Sequence, residues 1–232
     1  MSHELALGAS GHLVEKLIHD LNRVSPTGLP LLSGDNFDVM TMARVMEFQF
    51  YQNFPVDGVA GPKTLTLLRH LISRSHNLED AKPDGRVIVV NLIAEPQWLT
   101  AFEDGKEIPG LARLRCHGGS VEFPSRRGVF PLTSNRFPHH TSDVYPQPPD
   151  NMACSLFYTD AEAIHQGPAD VPSHGCIHVG VGWAGKLFYW VGSSDVLVIV
   201  LGKHAKIGRG HTYPPELQRQ IDTLRADLNT RL

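Results

Sequence analysis

A thiol and an imidazole stand close together in this chain, in Ile164-His165-Gln166-Gly167 and Val171-Pro172-Ser173-His174-Gly175-Cys176-Ile177-His178-Val179. Such a pair suits nucleophilic catalysis. A thiolate attacks a carbonyl far better than a thiol, so a catalytic cysteine needs a neighbouring base to take its proton and backbone N–H groups to receive the developing oxyanion. Gly175 allows the tight turn that exposes such N–H groups. Cys176 is the candidate nucleophile and His165 its candidate base.

Two plainer readings compete. Single cysteines are among the most buried residues and often only fill core volume. His174, Cys176 and His178 alternate and are all metal-ligand types. In an extended strand, however, residues two apart sit roughly 6 to 7 Å from each other, whereas zinc clusters separate paired ligands by two or more residues. Zinc is therefore disfavoured here, and no His-Glu-x-x-His pair occurs among the thirteen histidines. Neither a metal nor a cofactor is expected.

Ser173-His174-Gly175-Cys176-Ile177-His178, with the upstream histidine, resembles the signature of the L,D-transpeptidase (YkuD-type) catalytic domain: a His-Gly element, then Ser/Thr-x-Gly-Cys followed by a hydrophobic and a polar residue. Phe102 to Glu107 is similar to the family's early hairpin. Ser125-Arg126-Arg127-Gly128-Val129-Phe130 stands where the family has Thr-Pro-x-Gly-x-Phe. The resemblance spans residues 87–204. It implies a Cys176 thioester with a peptide stem and His165 as base, the imidazole being oriented by a backbone carbonyl near Gln166. The N–H groups of His174, Gly175 and Cys176 would then hold the oxyanion, and Ser173 and His178 would contact substrate. The Ser173 hydroxyl is also suited to organising the turn, and His174 and His178 to being satisfied histidines at a strand end. Two departures stand out. Only ten residues separate His165 from Cys176. His178 replaces the family's frequent Arg or Asn, and histidine is mostly neutral near pH 7 where arginine is a permanent bidentate donor.

The 232 residues carry a net charge of −3, 41% apolar and 19% charged residues, the profile of a globular protein of one large or two small domains. No basic patch points to nucleic acid or an anionic membrane. Cys116, Cys154 and Cys176 are odd in number, so at least one thiol stays free; Cys116 and Cys154 suit either a disulfide or two buried thiols. The N-terminus lacks a basic region followed by an apolar run, and the longest apolar stretches are too short to span a bilayer.

The elements that must position this chemistry read as α+β. Leu13, Leu17, Leu21 and Val24 predict a helix over 12–24, capped by Ser10 or Gly11. A second helix is expected from Thr41 to about Asn53, with Asp38 near its start, and a third from Pro62 through Ile72. Phe54 to Thr64 between them resembles the Val-Asp-Gly-x-x-Gly-x-x-Thr element of the three-helix peptidoglycan-binding domain, a likeness covering residues 5–73 that includes Phe37-Asp38 and Phe48-Gln49. Asp57 and Thr64 themselves read as a turn and a helix cap. The expected layout is a helical domain over 1–75, a linker over 76–86, a mostly β sandwich or barrel-like domain over 87–204 and an amphipathic C-terminal helix over 205–232. Strands are expected at 86–93, 98–102, 111–115, 129–132, 155–158 and 196–201, a helix at 183–190, and an irregular loop, either a cap over the site or plain surface, at 136–150.

These readings converge on a cell-wall-active cysteine acyltransferase whose partners are peptidoglycan stems and glycan. Its alternatives are an L,D-carboxypeptidase or endopeptidase, including a secreted antibacterial effector, and an inactive murein-binding protein. A periplasmic or wall-associated location follows, with specialised secretion or a cytoplasmic location left open by the missing signal. The C-terminal helix would dock on the body or form a dimer contact.

Overall fold

The computed structural model describes residues 4–24, 27–74, 82 and 84–202. The C-terminal helix expected over 205–232 lies outside the described residues, as does most of the linker.

Three helices open the chain: α1 (His12–Val24), α2 (Val39–Tyr51) and α3 (Pro62–Arg74). Helix α1 buries Val14, Leu17, Ile18 and Leu21 along one face. Helix α2 begins two residues ahead of the expected Thr41, because the Asp38 carboxylate accepts the Thr41 N–H at 2.8 Å and so satisfies a donor that the first turn leaves free. Gln49 of α2 latches the loop before α3: its amide N–H groups donate to Asp57 Oδ1 at 2.7 Å and the Val59 carbonyl at 3.0 Å, and its oxygen accepts the Gly58 N–H at 3.0 Å. Asp57 accepts the Val59 N–H at 2.8 Å, as a turn residue does. Thr64 is not a cap; it lies buried within the first turn of α3, while the Gly61 carbonyl accepts the Leu65 N–H.

Among the described residues ten strands follow: β1 (Arg86–Asn91), β2 (Trp98–Glu103), β3 (Lys106–Glu107), β4 (Leu114–His117), β5 (Gly128–Pro131), β6 (Arg136–Phe137), β7 (Ser155–Phe157), β8 (Ala163–Gln166), β9 (Ile177–Val179) and β10 (Val196–Leu201), with α4 (Trp183–Val191) before the last. They form a single sheet in the order β5-β10-β1-β2-β4-β9-β8-β7-β6, with β3 beside β2. The β1–β10 and β8–β9 pairs are parallel and the others antiparallel. This is the α+β class expected, realised as one continuous sheet.

The apolar runs of β1 and β10 are explained by burial on both faces. Val87, Val89, Ile199 and Leu201 share a core with Leu17, Leu21, Leu29, Val45 and Phe48 of the helical region. Their alternates Ile88, Val90, Val198 and Val200 pack instead with Leu187 and Val191 of α4. Backbone bonds close the seam: the Asp84 N–H donates to the Thr27 carbonyl at 2.7 Å and the Gly105 N–H to the Gly28 carbonyl at 3.0 Å. The described helices thus pack directly on the sheet.

Beneath that seam lies a buried ion pair. Arg44 donates to Glu47 Oε2 at 3.0 Å and to the Leu21 carbonyl at 3.0 Å, and the Thr27 hydroxyl donates to Glu47 Oε1. Burial lowers the Arg44 pKa and raises that of Glu47, each pulling against the other's charge. Removing one partner strands a charge in the core. Glu47→Ala should therefore cost about 3–5 kcal/mol in urea unfolding, whereas Arg44→Met combined with Glu47→Leu should be close to neutral. A Glu47→Ala loss under about 1 kcal/mol, the range of an exposed pair, would contradict this account.

Candidate active site

Strands β8 and β9 bring the histidine to the cysteine. They run parallel with Ile164 opposite Ile177 and His165 opposite His178. The register sets His165 beside His178, two residues beyond Cys176, and Cys176 immediately precedes β9 with its thiol in hydrogen-bond reach of the Ala163 backbone at the start of β8. The ten-residue connection suffices because it is stitched to the chain beyond β4: the Ser173 N–H donates to the Gly118 carbonyl at 3.0 Å and the Ser120 N–H to the Ser173 carbonyl at 2.9 Å.

The turn carrying the thiol is tightly built. Gly175 has φ 124, a backbone conformation that side chains disfavour, and Gly119 approaches so closely that a Cβ there would stand 3.0 Å from Gly175 Cα and 1.9 Å from the Phe123 carbonyl oxygen. Ser173 organises the turn from within. Its hydroxyl donates to the Cys176 carbonyl at 2.5 Å and accepts the Gly175 N–H at 3.0 Å. The Gly175 N–H is thus engaged within the turn, and the buried Ser173 hydroxyl takes the turn-organising part its place in the loop suggests.

His165 is buried, and its Nδ1 lies 2.8 Å from the Gln166 carbonyl oxygen. A carbonyl only accepts, so Nδ1 carries the proton and Nε2 keeps a free lone pair. Burial lowers the His165 pKa to about 4, with the nearby His178 and His140 adding to the effect and the Gln166 carbonyl opposing it. Burial also raises the Cys176 thiol above its ordinary 9.0, helped by Glu162 and opposed by a backbone hydrogen bond from Ala163. At neutral pH the resting pair is thus a thiol and a neutral imidazole. The rings of His165 and His178 meet edge to face at 4.9 Å; His178 Nδ1 is buried without a hydrogen-bond partner, and burial lowers its pKa too. His174 is exposed, its ring 4.4 Å from that of Tyr145 and 5.0 Å from that of Phe123. The loop at 136–150 therefore reaches the site through Tyr145.

Residues that sequence reasoning missed complete the surroundings. Glu162, nearly buried, accepts the Tyr158 hydroxyl at 2.8 Å and the Arg126 N–H at 2.9 Å, and pairs with Arg126 Nε at 3.5 Å. Glu162 stands just ahead of β8, three residues before His165, where no local pattern marks it. All three cysteines are free, and Cys116 is pushed up to about 12 by burial. Among the described residues no group of three or more His, Cys, Asp or Glu is placed to hold a metal ion.

Alkylation of Cys176 by iodoacetamide, followed site by site by mass spectrometry, should keep accelerating up to and beyond pH 9; a plateau near neutrality would instead reveal a preformed thiolate–imidazolium pair. A second expectation concerns stability. The folded chain keeps His165 neutral to about pH 4 while the unfolded imidazole protonates near 6.5, so the unfolded state takes up the extra proton and stability falls between these values. The loss is of the order of 3 kcal/mol. His165→Gln should flatten it in urea titrations at pH 7 and pH 4.5, and an undiminished loss would assign it to other groups.

Residues 10–68 match the family described as putative peptidoglycan binding domain. No protein of curated function matches the chain in sequence. Similar solved structures include an L,D-transpeptidase of Stackebrandtia nassauensis, 21% identical with a TM-score of 0.45 over 86% of this chain and 96% of that one. Another is an L,D-transpeptidase of Xylanimonas cellulosilytica, 20% identical with a TM-score of 0.40 over 86% of this chain and 98% of that one. An L,D-transpeptidase from Mycobacterium smegmatis is 19% identical with a TM-score of 0.44, over 53% of this chain and 61% of that one. The N-terminal helices, at least, carry a match to a peptidoglycan-binding family.

Proposed function

We propose that this chain is a cell-wall-active cysteine acyltransferase that attacks the peptide stem of peptidoglycan through Cys176. The observation that supports the reading is His165, its Nδ1 held at 2.8 Å by the Gln166 carbonyl, on the strand that pairs with β9 directly after Cys176. The signature around Cys176 and the peptidoglycan-binding match over residues 10–68 support the substrate class. A binding module joined to a catalytic site raises the local concentration of stems.

The chemistry follows from the protonation states. With a high thiol and a weakly basic imidazole, proton transfer to His165 Nε2 accompanies attack on the stem carbonyl instead of preceding it. The sulfur–carbon bond forms as the S–H bond breaks, and the oxyanion is received by the N–H groups of His174 and Cys176. The imidazolium returns its proton to the leaving amine as the thioester forms. An amine on a second stem, deprotonated by His165, then gives a cross-link, and water gives hydrolysis. His178, whose ring meets that of His165 edge to face at 4.9 Å, is the substrate contact in this reading in place of Ser173. No helix among the described residues is long and apolar enough to cross a membrane.

The test is mass spectrometry of muropeptides bearing tetrapeptide stems, incubated with wild type and Cys176→Ala, with and without an acceptor stem. Cross-linked dimers from wild type alone establish a transpeptidase. Loss of terminal D-alanine or cleavage of existing cross-links makes it a hydrolase. Products independent of Cys176, or none, refute the enzymatic reading and leave a wall-binding protein.

A further inference from the structure

We propose that Glu162 is a positioning residue that holds a fixed negative charge behind the catalytic turn and so keeps Cys176 a thiol until its base takes the proton; this rests on reading Cys176 as the nucleophile and His165 as that base. The carboxylate is the end of a chain of donors. The Gly119 N–H donates to the Ser125 hydroxyl oxygen at 2.8 Å, the Ser125 hydroxyl donates to the Tyr158 oxygen, and the Tyr158 hydroxyl donates to Glu162 Oε2 at 2.8 Å. The Arg126 N–H donates to the same carboxylate oxygen at 2.9 Å, and Arg126 Nε stands 3.5 Å from Oε1. A chain that delivers only donors must end on a group that only accepts, as an ionised carboxylate does.

The chain closes around Gly175. Gly119, at its head, approaches so closely that a Cβ there would stand 3.0 Å from Gly175 Cα, and at its foot the Glu162 side chain lies 3.5 to 3.6 Å from where a Cβ on Gly175 would stand. Both contacts are open to the turn because position 175 carries no side chain. The carboxylate is itself fixed. The Glu162 N–H donates to the Thr159 hydroxyl at 2.9 Å, the Glu162 carbonyl accepts the Tyr158 N–H at 3.1 Å, and Tyr158 and Ser125 are buried.

A negative charge held beside a thiol opposes loss of its proton. Burial raises the Cys176 pKa, a hydrogen bond from the Ala163 backbone opposes it, and Glu162 raises it again. The imidazoles of His165, His174 and His178 around the turn are not permanent cations that would cancel the charge. The resting thiol is therefore slow toward stray electrophiles, since the thiolate is the attacking species. Once its proton has passed to the base, the more basic sulfur is the stronger nucleophile.

Iodoacetamide alkylation of Cys176 across pH, resolved site by site by mass spectrometry, tests this in the full chain. Glu162→Gln keeps an oxygen for the Tyr158 and Arg126 donors and removes the charge. It should alkylate at least about threefold faster at pH 7.5, with the whole profile displaced to lower pH. Tyr158→Phe breaks the chain and keeps the charge, so its profile should not move to lower pH. Buried Cys116, read in the same spectra, should stay as slow as in wild type. An unmoved profile in Glu162→Gln, an equal displacement in Tyr158→Phe, or Cys116 accelerating in step with Cys176 overturns the proposal, the last two because they assign the change to a loosened turn or fold. Should Glu162→Gln fail to fold, Glu162→Ala carries the same test and the same refutations. Turnover of stem peptides is a separate readout. Displacement in Glu162→Gln without turnover by wild type keeps the role of the charge and removes the acyl-transfer reading, whereas turnover by wild type with an unmoved profile does the reverse.

Discussion

The parallel pairing of β8 with β9 is the constraint on which the site depends. His165 and Cys176 come from segments joined by a short connection, and the register sets His165 against His178, two residues beyond Cys176. A slip of one residue would turn one of them to the opposite face of the sheet. That register is over-determined. Strand β9 also pairs with β4, His117 opposite His178, and the connecting loop bonds through Ser173 to residues 118–120. The two glycines at positions 119 and 175 let those backbones approach as closely as the arrangement demands.

Desolvation governs the chemistry as much as geometry does. Burial lowers the pKa of His165 and raises that of Cys176, so each is held in its neutral form, and the same force acts on Arg44 and Glu47 far from the site. The difference lies in the partners. Arg44 and Glu47 answer each other's charge, whereas neither His165 nor Cys176 has an opposite charge among the causes of its shift. Glu162, itself 3.5 Å from Arg126 Nε, adds a negative group close to the thiol and raises its pKa further.

The helices share a core with the sheet. Val87 and Val89 face Leu29 and Phe48, while Ile88 and Val90 face α4, so β1 is the common wall of two apolar layers. A module seated in this way presents its surface at a fixed position relative to Cys176, in contrast to one held only by a flexible tether, whose effective concentration depends on linker length.

Much was legible from local pattern. The apolar period over 12–24 marked α1 to the residue, Pro62 marked the start of α3, and the runs expected at 86–93 and 196–201 marked β1, which ends two residues earlier, and β10, because each is long enough for its pattern to rise above noise. Type and spacing named Cys176 and His165 as candidates, and the place of Ser173 before Gly175 suggested the turn contacts that it makes. Strands β8 and β9, at four and three residues, were too short to announce themselves. Nor could local pattern show that β10 inserts between β5 and β1, that Ser173 engages the Gly175 N–H, or that Glu162 and Arg126 meet behind the thiol. The sequence by itself determined which groups could react, since side-chain chemistry and backbone propensity are local properties. The tertiary structure alone decided their protonation states and partners, because burial and long-range pairing exist only once distant segments have packed together.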